Sequence, residues 1–351
     1  MKIHLLTGFL GSGKTTAIQH AVLGLLHEGE RVAVITNDQG ARLVDGDLFK
    51  ALNIPERQVV NGCFCCNYND LDAGIQSLIE TNNTEIIFAE SVGSCTDIVA
   101  TVLKPLLQFR PDALVTVSTF ADIRLLQMML AGNSSFDDSV SYIYLKQLEE
   151  AGIIVVNKID LVSEQELAAV KQLMQEKYGN KVLIYQHSLD EESIKKWLNT
   201  LDNYQSSASL QSLSIDYDIY ADGEANMAWF DQDLEIYSCT DNAFRQAEAL
   251  INRIYKKIIE QKYSIGHLKF FINGTRKISF TSNNEPPLRL KWEPAMMATL
   301  LINIRIQETP ETISALVKDA IQETELQSDC KIIESNPAAF KPGYPRPAFR
   351  L

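Results

Sequence analysis

The sequence lacks long apolar runs and has fewer basic than acidic residues. No apolar stretch approaches the about 18 residues that a membrane-spanning helix needs, and the apolar part of residues 2–7 is too short for a signal peptide. We therefore expect a cytoplasmic protein with no membrane partner. The 32 basic against 45 acidic side chains give a net charge of −13, which repels phosphate backbones and argues against a nucleic acid partner.

Cysteine is also scarce, because six in 351 residues are too few for a disulfide scaffold. Three of the six crowd into four positions, at Cys63, Cys65 and Cys66. The other three are isolated, and we expect them to be buried small apolar residues: Cys95, Cys239 and Cys330. The composition is otherwise ordinary, with 46% apolar and 22% charged residues, and the length predicts one large or two moderate folded domains.

Apolar, β-rich runs alternate with segments of helical periodicity in the first part of the chain. The runs cover residues 3–7, 32–36, 86–89, 113–117 and 153–156. This alternation predicts an α/β fold, a parallel sheet with helices on both faces. Such sheets bind ligands at the carboxyl ends of their strands, so the residues that follow each run are the candidates for function.

A phosphate-binding loop follows the first predicted strand. Residues 8–16 are Gly-Phe-Leu-Gly-Ser-Gly-Lys-Thr-Thr, a full match to the P-loop pattern G-x-x-x-x-G-K-[ST]. The glycines let backbone N–H groups surround phosphates, and the dipole of the following helix favours their charge. We expect Lys14 to reach the β- and γ-phosphates and Thr15 to bind Mg²⁺. The predicted nucleotide contacts in this loop are Gly8, Gly11, Ser12, Gly13, Lys14, Thr15 and Thr16.

A second nucleotide motif, Asn157-Lys158-Ile159-Asp160, follows the last of these five strands. The Asp160 carboxylate can accept both hydrogen bonds from the N1–H and the exocyclic amine of guanine, whereas adenine would leave it unpaired. The motif therefore favours GTP over ATP, with Asn157, Lys158 and Asp160 as nucleotide contacts. Helix capping is the alternative role for Asn and Asp at such a position.

Acidic residues follow two further strands. Glu90 opens Glu-Ser-Val-Gly at residues 90–93, and Asp38 lies within Asn-Asp-Gln-Gly at residues 37–40. Together with Thr15, these carboxylates are placed to hold Mg²⁺ directly or through water, and with Lys14 they form the predicted catalytic set. Gly93 would let the backbone approach the γ-phosphate and move when it leaves. Two acidic residues in polar turns are the alternative interpretation.

The cysteine cluster lies between the second and third of these strands. The thiolates of Cys63, Cys65 and Cys66 can surround a cation such as Zn²⁺ or Cu⁺, with a fourth position left to water, another side chain or a partner. Such an incomplete shell suits metal exchange. A redox pair and plain packing are the alternatives, although the adjacent Cys65 and Cys66 would close only a strained ring.

In this order, the P-loop, the cysteine cluster, residues 90–93 and residues 157–160 resemble the CobW-type family of metal-handling P-loop GTPases, relatives of the urease and hydrogenase nickel-insertion GTPases. The resemblance covers roughly the first 200 residues. It implies a GTPase cycle coupled to metal binding at Cys63, Cys65 and Cys66, delivering zinc, cobalt or another transition metal to a client protein or cofactor pathway.

The chain departs from the family pattern in two places. The family usually has Asn-Glu-Phe-Gly at the position of residues 37–40, so Asp38 is one methylene shorter than the expected magnesium-binding Glu. The His-rich stretch of many members is missing, since the chain has only five histidines, and this excludes a metal-storage tail.

Beyond the first domain, the sequence predicts a smaller α+β domain, with a ferredoxin-like arrangement as the candidate. The predicted strands cover residues 234–237, 267–272, 277–281 and 298–306, and the predicted helices 242–261 and 311–323. The expected organisation is a P-loop GTPase domain at 1–202, a Ser-rich linker at 203–214, the α+β domain at 215–330 and an extended Pro-rich tail at 331–351.

The leading hypothesis is a GTP-hydrolysing metallochaperone that binds zinc and transfers it to a client in a nucleotide-dependent way. Its partner would be a client metalloprotein or a cofactor-assembly protein, and a homo-oligomer is compatible with the sequence. Two other hypotheses stay open: a P-loop kinase of a small molecule with structural cysteines, and a non-catalytic module that uses nucleotide as a clamp.

Overall fold

The structure is a computed structural model that describes residues 1–40, 44–204, 210–291 and 293–351. The chain divides into two compact units. The first contains described residues 1–40, 52–204, 210–223 and 344–351, and the second contains 44–51, 224–291 and 293–343. Residues 205–209 of the predicted linker lie outside the described part of the chain, and the first unit continues past that linker to Gly223.

The first unit is built on a seven-stranded parallel sheet with strand order β3-β2-β4-β1-β5-β6-β7. Its strands are β1 (Lys2–Thr7), β2 (Val32–Asn37), β3 (Glu56–Val59), β4 (Ile86–Glu90), β5 (Leu114–Asp122), β6 (Ile153–Asn157) and β7 (Val182–Gln186). Every residue of β2, β4 and β6 is buried, because both faces of the sheet are covered. The predicted α/β P-loop fold is confirmed, and the two strands that the sequence analysis missed are the sheet edges.

Helices connect these parallel strands, and the last two helices of this unit follow β7. The helices of the unit are α1 (Lys14–His27), α3 (Tyr68–Asn82), α4 (Lys104–Phe109), α5 (Ile123–Leu130), α6 (Asp138–Glu150), α7 (Glu164–Tyr178), α8 (Glu191–Asn203) and α9 (Tyr217–Ala225), with a π-helical turn at Val99–Leu103. α7 begins with a capping box in which Ser163 and Glu166 each bind the other's backbone N–H. No helix within the described ranges is both long and apolar enough to cross a membrane.

The second unit is a five-stranded antiparallel sheet with strand order β10-β9-β11-β8-β12. Its elements are α2 (Val44–Ala51), β8 (Ala228–Ser238), α10 (Ala243–Glu260), β9 (Ile265–Ile272), β10 (Arg276–Phe280), β11 (Met297–Ile306), α11 (Pro310–Leu326) and β12 (Cys330–Phe340). Leaving β10 aside, the chain order and strand order are those of a split βαβ, ferredoxin-like domain. The predicted small α+β domain is therefore present, with an apolar core in which α10 and α11 cover the sheet.

Two features differ from the sequence prediction. Residues 330–340 form β12, so the extended tail predicted over 331–351 is wrong for its first ten residues. Pro337 is tolerated there because it lies at a shift in the β8–β12 register, where the regular ladder is interrupted. The second difference is α2, which falls inside the predicted GTPase domain but belongs to the second unit, where the Val44 N–H donates to Asn303 Oδ1 at 2.8 Å.

Candidate functional site

The P-loop joins β1 to α1 at the carboxyl edge of the sheet. Gly13 caps α1 with φ +93°, and a Cβ there would lie 2.3 Å from Asn157 Nδ2, so this position requires glycine. No side chain caps the helix, which leaves its first N–H groups to a ligand. The buried hydroxyls of Thr7 and Ser12 have no hydrogen-bond partner among the residues that the structure describes. These open donors fit a phosphate group, and Gly8, Gly11 and Thr16 belong to the same loop and first helical turn.

The predicted catalytic residues are partly brought together. Lys14 Nζ donates to Gly8 O at 2.7 Å and lies 4.0 Å from Glu90 Oε1. Thr15 Oγ1 donates to Glu90 Oε1 at 3.0 Å, and all three side chains are buried. Asp38 is half-buried and accepts the Gly40 N–H at 2.8 Å. The structure thus joins Lys14, Thr15 and Glu90 into one polar group, whereas Asp38 caps its own turn.

The loop after β4 packs closely on the P-loop. A Cβ on Gly93 would lie 2.8 Å from Leu10 N, so the two backbones meet where only glycine fits. From α6, Gln147 Nε2 donates to Gly93 O at 3.0 Å and to Cys95 O at 2.8 Å. The sequence analysis did not identify Gln147, because a single Gln inside a helix carries no local signal of such a contact.

The motif at residues 157–160 braces the P-loop from the other side. Asn157 Nδ2 donates to Ser12 O at 2.9 Å, and Ser188 Oγ donates to Asn157 Oδ1 at 2.7 Å. Both ends of the Asn157 amide are therefore engaged within the protein. Asp160 is exposed, with its Oδ2 3.7 Å from His187 Nε2. The base-contacting role predicted for this motif consequently rests on Asp160.

Asp122, at the end of β5, is a buried carboxylate that the sequence analysis missed. Its Oδ2 lies 2.9 Å from Lys158 Nζ and 2.7 Å from Arg124 Nη2, and its Oδ1 accepts the Arg124 N–H. Burial alone would raise the pKa of Asp122, but these two cations lower it below its usual value. Lys158 adopts φ +63°, and its ion pair with Asp122 ties it to the end of β5. No direct signal in the sequence pointed to this carboxylate, because the predicted strand covered residues 113–117 whereas β5 continues to Asp122.

The cysteine loop lies between β3 and α3. Cys63 Sγ is 2.7 Å from Cys65 Sγ and 3.3 Å from Cys66 Sγ, and the latter two sulfurs are 3.7 Å apart. The loop turns tightly, since the N–H groups of Cys66 and Asn67 both donate to Cys63 O. Asn37 braces it from β2. The Asn37 amide donates to the carbonyls of Val59 and Gly62 and accepts the Phe64 N–H.

These thiols differ in acidity because they share hydrogen bonds. The thiols of Cys65, Cys66 and Cys95 donate to Cys63 and lower its pKa well below the ordinary value. The hydrogen bond with Cys63 raises the pKa of Cys66 to about 11 and that of Cys65 well above the ordinary value. Cys63 is thus the most acidic thiol of the set, and a metal ion bound by all three sulfurs would displace the protons of Cys65 and Cys66.

The other cysteines only partly follow the sequence prediction. Cys330 is buried, as expected for a small apolar residue. Cys239 is exposed, and Cys95 is not isolated, because its thiol hydrogen-bonds with Cys63 and Cys65. Cys95 lies on a different loop from the cluster, so spacing in the sequence could not reveal this proximity.

Comparison with known proteins identifies related sequences. Residues 2–184, just over half of the chain, match the family described as "CobW/HypB/UreG, nucleotide-binding domain". Over 187 residues the chain is 29% identical to the zinc chaperone YeiR of Escherichia coli, covering 52% of this chain and 54% of that protein. It is also 29% identical over 211 residues to the zinc-regulated GTPase metalloprotein activator 1 of Dictyostelium discoideum, covering 50% and 43% respectively.

The chain therefore spans about half the length of the curated relatives that it matches. Among solved structures, HypB from Helicobacter pylori in complex with nickel aligns at 17% identity with a TM-score of 0.44, covering 61% of this chain and 91% of that chain.

Proposed function

Because the chain belongs to the CobW/HypB/UreG family of nucleotide-binding proteins, we propose that it is a GTP-hydrolysing metallochaperone that carries zinc and transfers it to a client. The observation that carries this proposal is the group of three free thiols, Cys63, Cys65 and Cys66, whose sulfurs all lie within 4.8 Å of one another. They belong to the same compact unit as the P-loop. Several relatives are named as zinc chaperones, which favours zinc over cobalt as the cargo.

The P-loop would hold the phosphates of GTP. The Lys14 ammonium, now on the Gly8 carbonyl, would move to the β- and γ-phosphates, and the open N–H groups of α1 would bind their oxygens. The Thr15 hydroxyl and the Glu90 carboxylate, already hydrogen-bonded, form the oxygen-rich position suited to Mg²⁺, with Asp38 as a further candidate. Bound there, Mg²⁺ would neutralise charge on the phosphates.

Asp160 would select guanine. An exposed carboxylate just beyond a strand that ends in Asn157 is free to accept the two N–H groups of the guanine edge. Asn157 would act indirectly by fixing the P-loop through Ser12, and Lys158 by its ion pair with Asp122. GDP would occupy the same positions after hydrolysis.

The zinc ion is the cargo of this cycle. Cys63 is the most acidic of the three thiols, and Cys65 and Cys66 would lose their protons as they bind the ion. The loops at Asn37 and Gly93 connect this site to the nucleotide, since Asn37 braces the cysteine loop and Gly93 packs on the P-loop. The client would be a metalloprotein or cofactor-assembly protein in the cytoplasm, where thiols stay reduced.

The experiment is a measurement of Zn²⁺ affinity by chelator competition, with Mg²⁺ and either GDP or a non-hydrolysable GTP analogue. Wild type is compared with the triple variant Cys63→Ser/Cys65→Ser/Cys66→Ser. We expect tight binding that the triple variant loses, and an affinity that changes at least about tenfold with the nucleotide, or ~1.4 kcal/mol. Cys239→Ser, which removes an exposed thiol, is the matched control and should bind zinc like wild type.

Zinc affinity that survives in the triple variant would contradict the proposal. GTP hydrolysis is followed in parallel, and Lys14→Ala should abolish it because the β- and γ-phosphates lose their cation. Transfer of phosphate to an acceptor other than water would instead favour the small-molecule kinase. Hydrolysis that persists in Lys14→Ala would remove the P-loop from the mechanism.

A further inference from the structure

Cys95 faces the cysteine cluster from a second loop. It lies two residues beyond Gly93, its side chain is fully buried, and its thiol hydrogen-bonds with the thiols of Cys63 and Cys65. Its backbone is held on both sides, because the Cys95 N–H donates to Val92 O at 3.1 Å and its carbonyl accepts Gln147 Nε2 at 2.8 Å. The sulfurs of Cys63, Cys65 and Cys66 all lie within 4.8 Å of one another, and the Cys95 thiol adjoins this group from a second, separately anchored loop.

The spacing of the sulfurs suits a tetrahedral ion. With Zn–S bonds of about 2.3 Å, the sulfurs of a regular four-thiolate site lie about 3.8 Å apart. The three sulfurs of the cysteine loop are separated by 2.7, 3.3 and 3.7 Å, so an ion needs them to spread by no more than about 1 Å. Cys63 and Cys65, which contact Cys95, are also the two buried members of the loop.

We propose that Cys95 supplies the fourth thiolate of the zinc site. This inference rests on the proposed function, and it replaces the open fourth position of that site with a specific side chain. Four thiolates around a divalent ion satisfy its preferred tetrahedral shell without water. Zinc would then be enclosed by protein sulfur until one of the two loops moves.

The position of Cys95 connects the cargo to the nucleotide. Gln147 binds the carbonyls of both Gly93 and Cys95, so a movement of the backbone at Gly93 is transmitted to Cys95 within two residues. If Gly93 follows the γ-phosphate, the fourth sulfur is present in one nucleotide state and withdrawn in the other. Zinc would be held by four thiolates before release and by three during transfer.

The test counts sulfur ligands directly, by X-ray absorption at the zinc edge on the full chain loaded with one Zn²⁺. We expect four sulfurs at about 2.3 Å in wild type, and in Cys95→Ser three sulfurs with one lighter ligand at about 2.0–2.1 Å. Zinc affinity in Cys95→Ser should fall at least about tenfold. Cys330→Ser removes another buried thiol, in the second unit, and should change neither quantity.

Three sulfurs and one lighter atom in wild type would overturn the inference and leave the proposed function intact. An unchanged affinity in Cys95→Ser would also overturn it. The absence of zinc binding by wild type would instead refute the proposed function. The wild-type ligand count needs no variant, so the test remains decisive if Cys95→Ser folds poorly.

A second observation concerns residues 344–351, here called the strap, which return to the first unit beside the cysteine loop. The Arg346 N–H donates to Cys66 Sγ at 3.3 Å, and the Ala348 N–H donates to Cys65 O at 2.8 Å. Cys66 is the least buried thiol of the three, so the strap lies on the accessible side of the cluster.

The strap is anchored beyond these contacts. The Phe349 ring centroid lies 5.2 Å from those of both Tyr68 and Phe109, which places it between two aromatic side chains. Arg350 Nε donates to Asp97 Oδ2 at 2.8 Å, and the Leu351 N–H donates to Ala100 O at 3.0 Å. One short segment thus contacts the cysteine loop and also the segment that follows Cys95.

We infer that the strap covers the metal site and slows zinc exchange until a client displaces it. The segment that covers the metal site is thus part of the same chain. Phe349 is its aromatic anchor and Arg350 its ionic anchor. The inference depends on the proposed zinc site and is independent of the role of Cys95. A client that competes for these anchors would open the site by local displacement rather than by unfolding.

The test compares Phe349→Ala/Arg350→Ala with Arg346→Ala, which removes a charge from the strap but keeps the backbone N–H that binds Cys66. Two rates are measured: removal of zinc by excess EDTA, and alkylation of Cys66 in metal-free protein. We expect both rates to rise at least about tenfold in the double variant and to stay near wild type in Arg346→Ala.

A second variant that lacks residues 344–351 should match the double variant. Equal rates in wild type and both strap variants would overturn the inference. The alkylation rate needs no metal, so it still tests the strap if the protein proves not to bind zinc.

Discussion

At the scale of single residues, the candidate nucleotide site consists of a buried polar group and one exposed carboxylate. Lys14, Thr15 and Glu90 form a buried polar group at adjoining strand ends, and Asp160 stands exposed beyond β6. The first group is already connected by hydrogen bonds, whereas Asp160 is exposed and, in the proposed function, would bind the guanine base. Substitutions at these two places should therefore have different consequences.

Asp160→Asn should change the base that the protein prefers. The amide of Asn cannot accept both N–H groups of guanine, so affinity for GTP should fall about 100-fold, or ~2.7 kcal/mol. Xanthine carries a carbonyl in place of the amine, which an Asn amide can match, so affinity for XTP should rise. Nucleotide titration checks both, with the exposed Glu164→Gln as control. An unchanged preference for GTP would exclude Asp160 as the base contact.

Glu150 should make stability depend on pH. Burial, followed by the nearby charge of Asp97, raises its pKa from 4.5 to about 8. Thr96 Oγ1 and the Val99 N–H donate to its carboxyl group. Between pH 4.5 and about 8, Glu150 therefore keeps its proton in the folded protein and loses it in the unfolded chain. The stability that protonated Glu150 contributes is complete below pH 4.5 and is lost as pH rises through about 8.

Glu150→Gln should remove that dependence because Gln keeps the shape and does not titrate. The measurement is the thermal unfolding midpoint of both proteins between pH 6 and 9. Wild type should lose stability relative to Glu150→Gln as pH rises. Parallel profiles for the two proteins would show that Glu150 does not titrate in this range.

At the scale of elements, α2 is held in the second unit by the Val44–Asn303 hydrogen bond and by the side chain of Asp45. Asp45 forms ion pairs with both Lys269 on β9 and Lys277 on β10, the latter at 2.6 Å between Lys277 Nζ and Asp45 Oδ1. Burial alone would raise the pKa of Asp45, but the two ammonium groups lower it well below its usual range. The stability that these two ion pairs contribute is therefore retained at neutral pH and is lost only as pH falls into the acid range.

Asp45→Asn should destabilise the second unit by about 3 kcal/mol, because two partly buried ammonium groups lose their carboxylate. The free energy of unfolding by denaturant measures the change. Asp47→Asn on the same helix breaks an i,i+3 pair with Lys50 at 3.8 Å, in which the Lys50 side chain is exposed, and should cost no more than about 0.5 kcal/mol. Equal effects of the two variants would rule out the double ion pair as the anchor of α2.

At the scale of the whole molecule, nucleotide and zinc are expected to act on one conformational equilibrium. The cysteine loop is braced by Asn37 at the end of β2, and the loop after β4 carries both Gly93 and Cys95. In the proposed function, binding at either site would act on loops that the other site also contacts. Thermodynamic linkage then requires the coupling to be equal in both directions.

Zinc binding should therefore change the ratio of the affinities for the GTP analogue and for GDP. The factor should equal the ratio of the zinc affinities measured with the analogue and with GDP. We expect a factor of at least about ten. Titrating each ligand in the presence and absence of the other completes the cycle, and Cys63→Ser should reduce both factors toward one. Zinc that leaves the preference between analogue and GDP unchanged would mean that the metal is structural.

The sequence by itself determined the elements of the nucleotide site and the nature of the fold. The P-loop, the Asn-Lys-Ile-Asp motif and the three clustered cysteines are contiguous, so their chemistry depends on neighbouring residues and on one adjoining strand or helix. The alternation of apolar runs with helical segments likewise dictated a parallel sheet, because buried strands and amphipathic helices have different periodicities.

Only the tertiary structure decided which distant residues meet. Cys95 adjoins Cys63, Asn157 holds Ser12, α2 belongs to the second unit, and the strap reaches Cys66. Each of these contacts depends on strand order and on the path of a loop, and local periodicity carries no information about either. A buried cysteine and a buried zinc ligand are identical in sequence, and they differ only in what the fold places beside them.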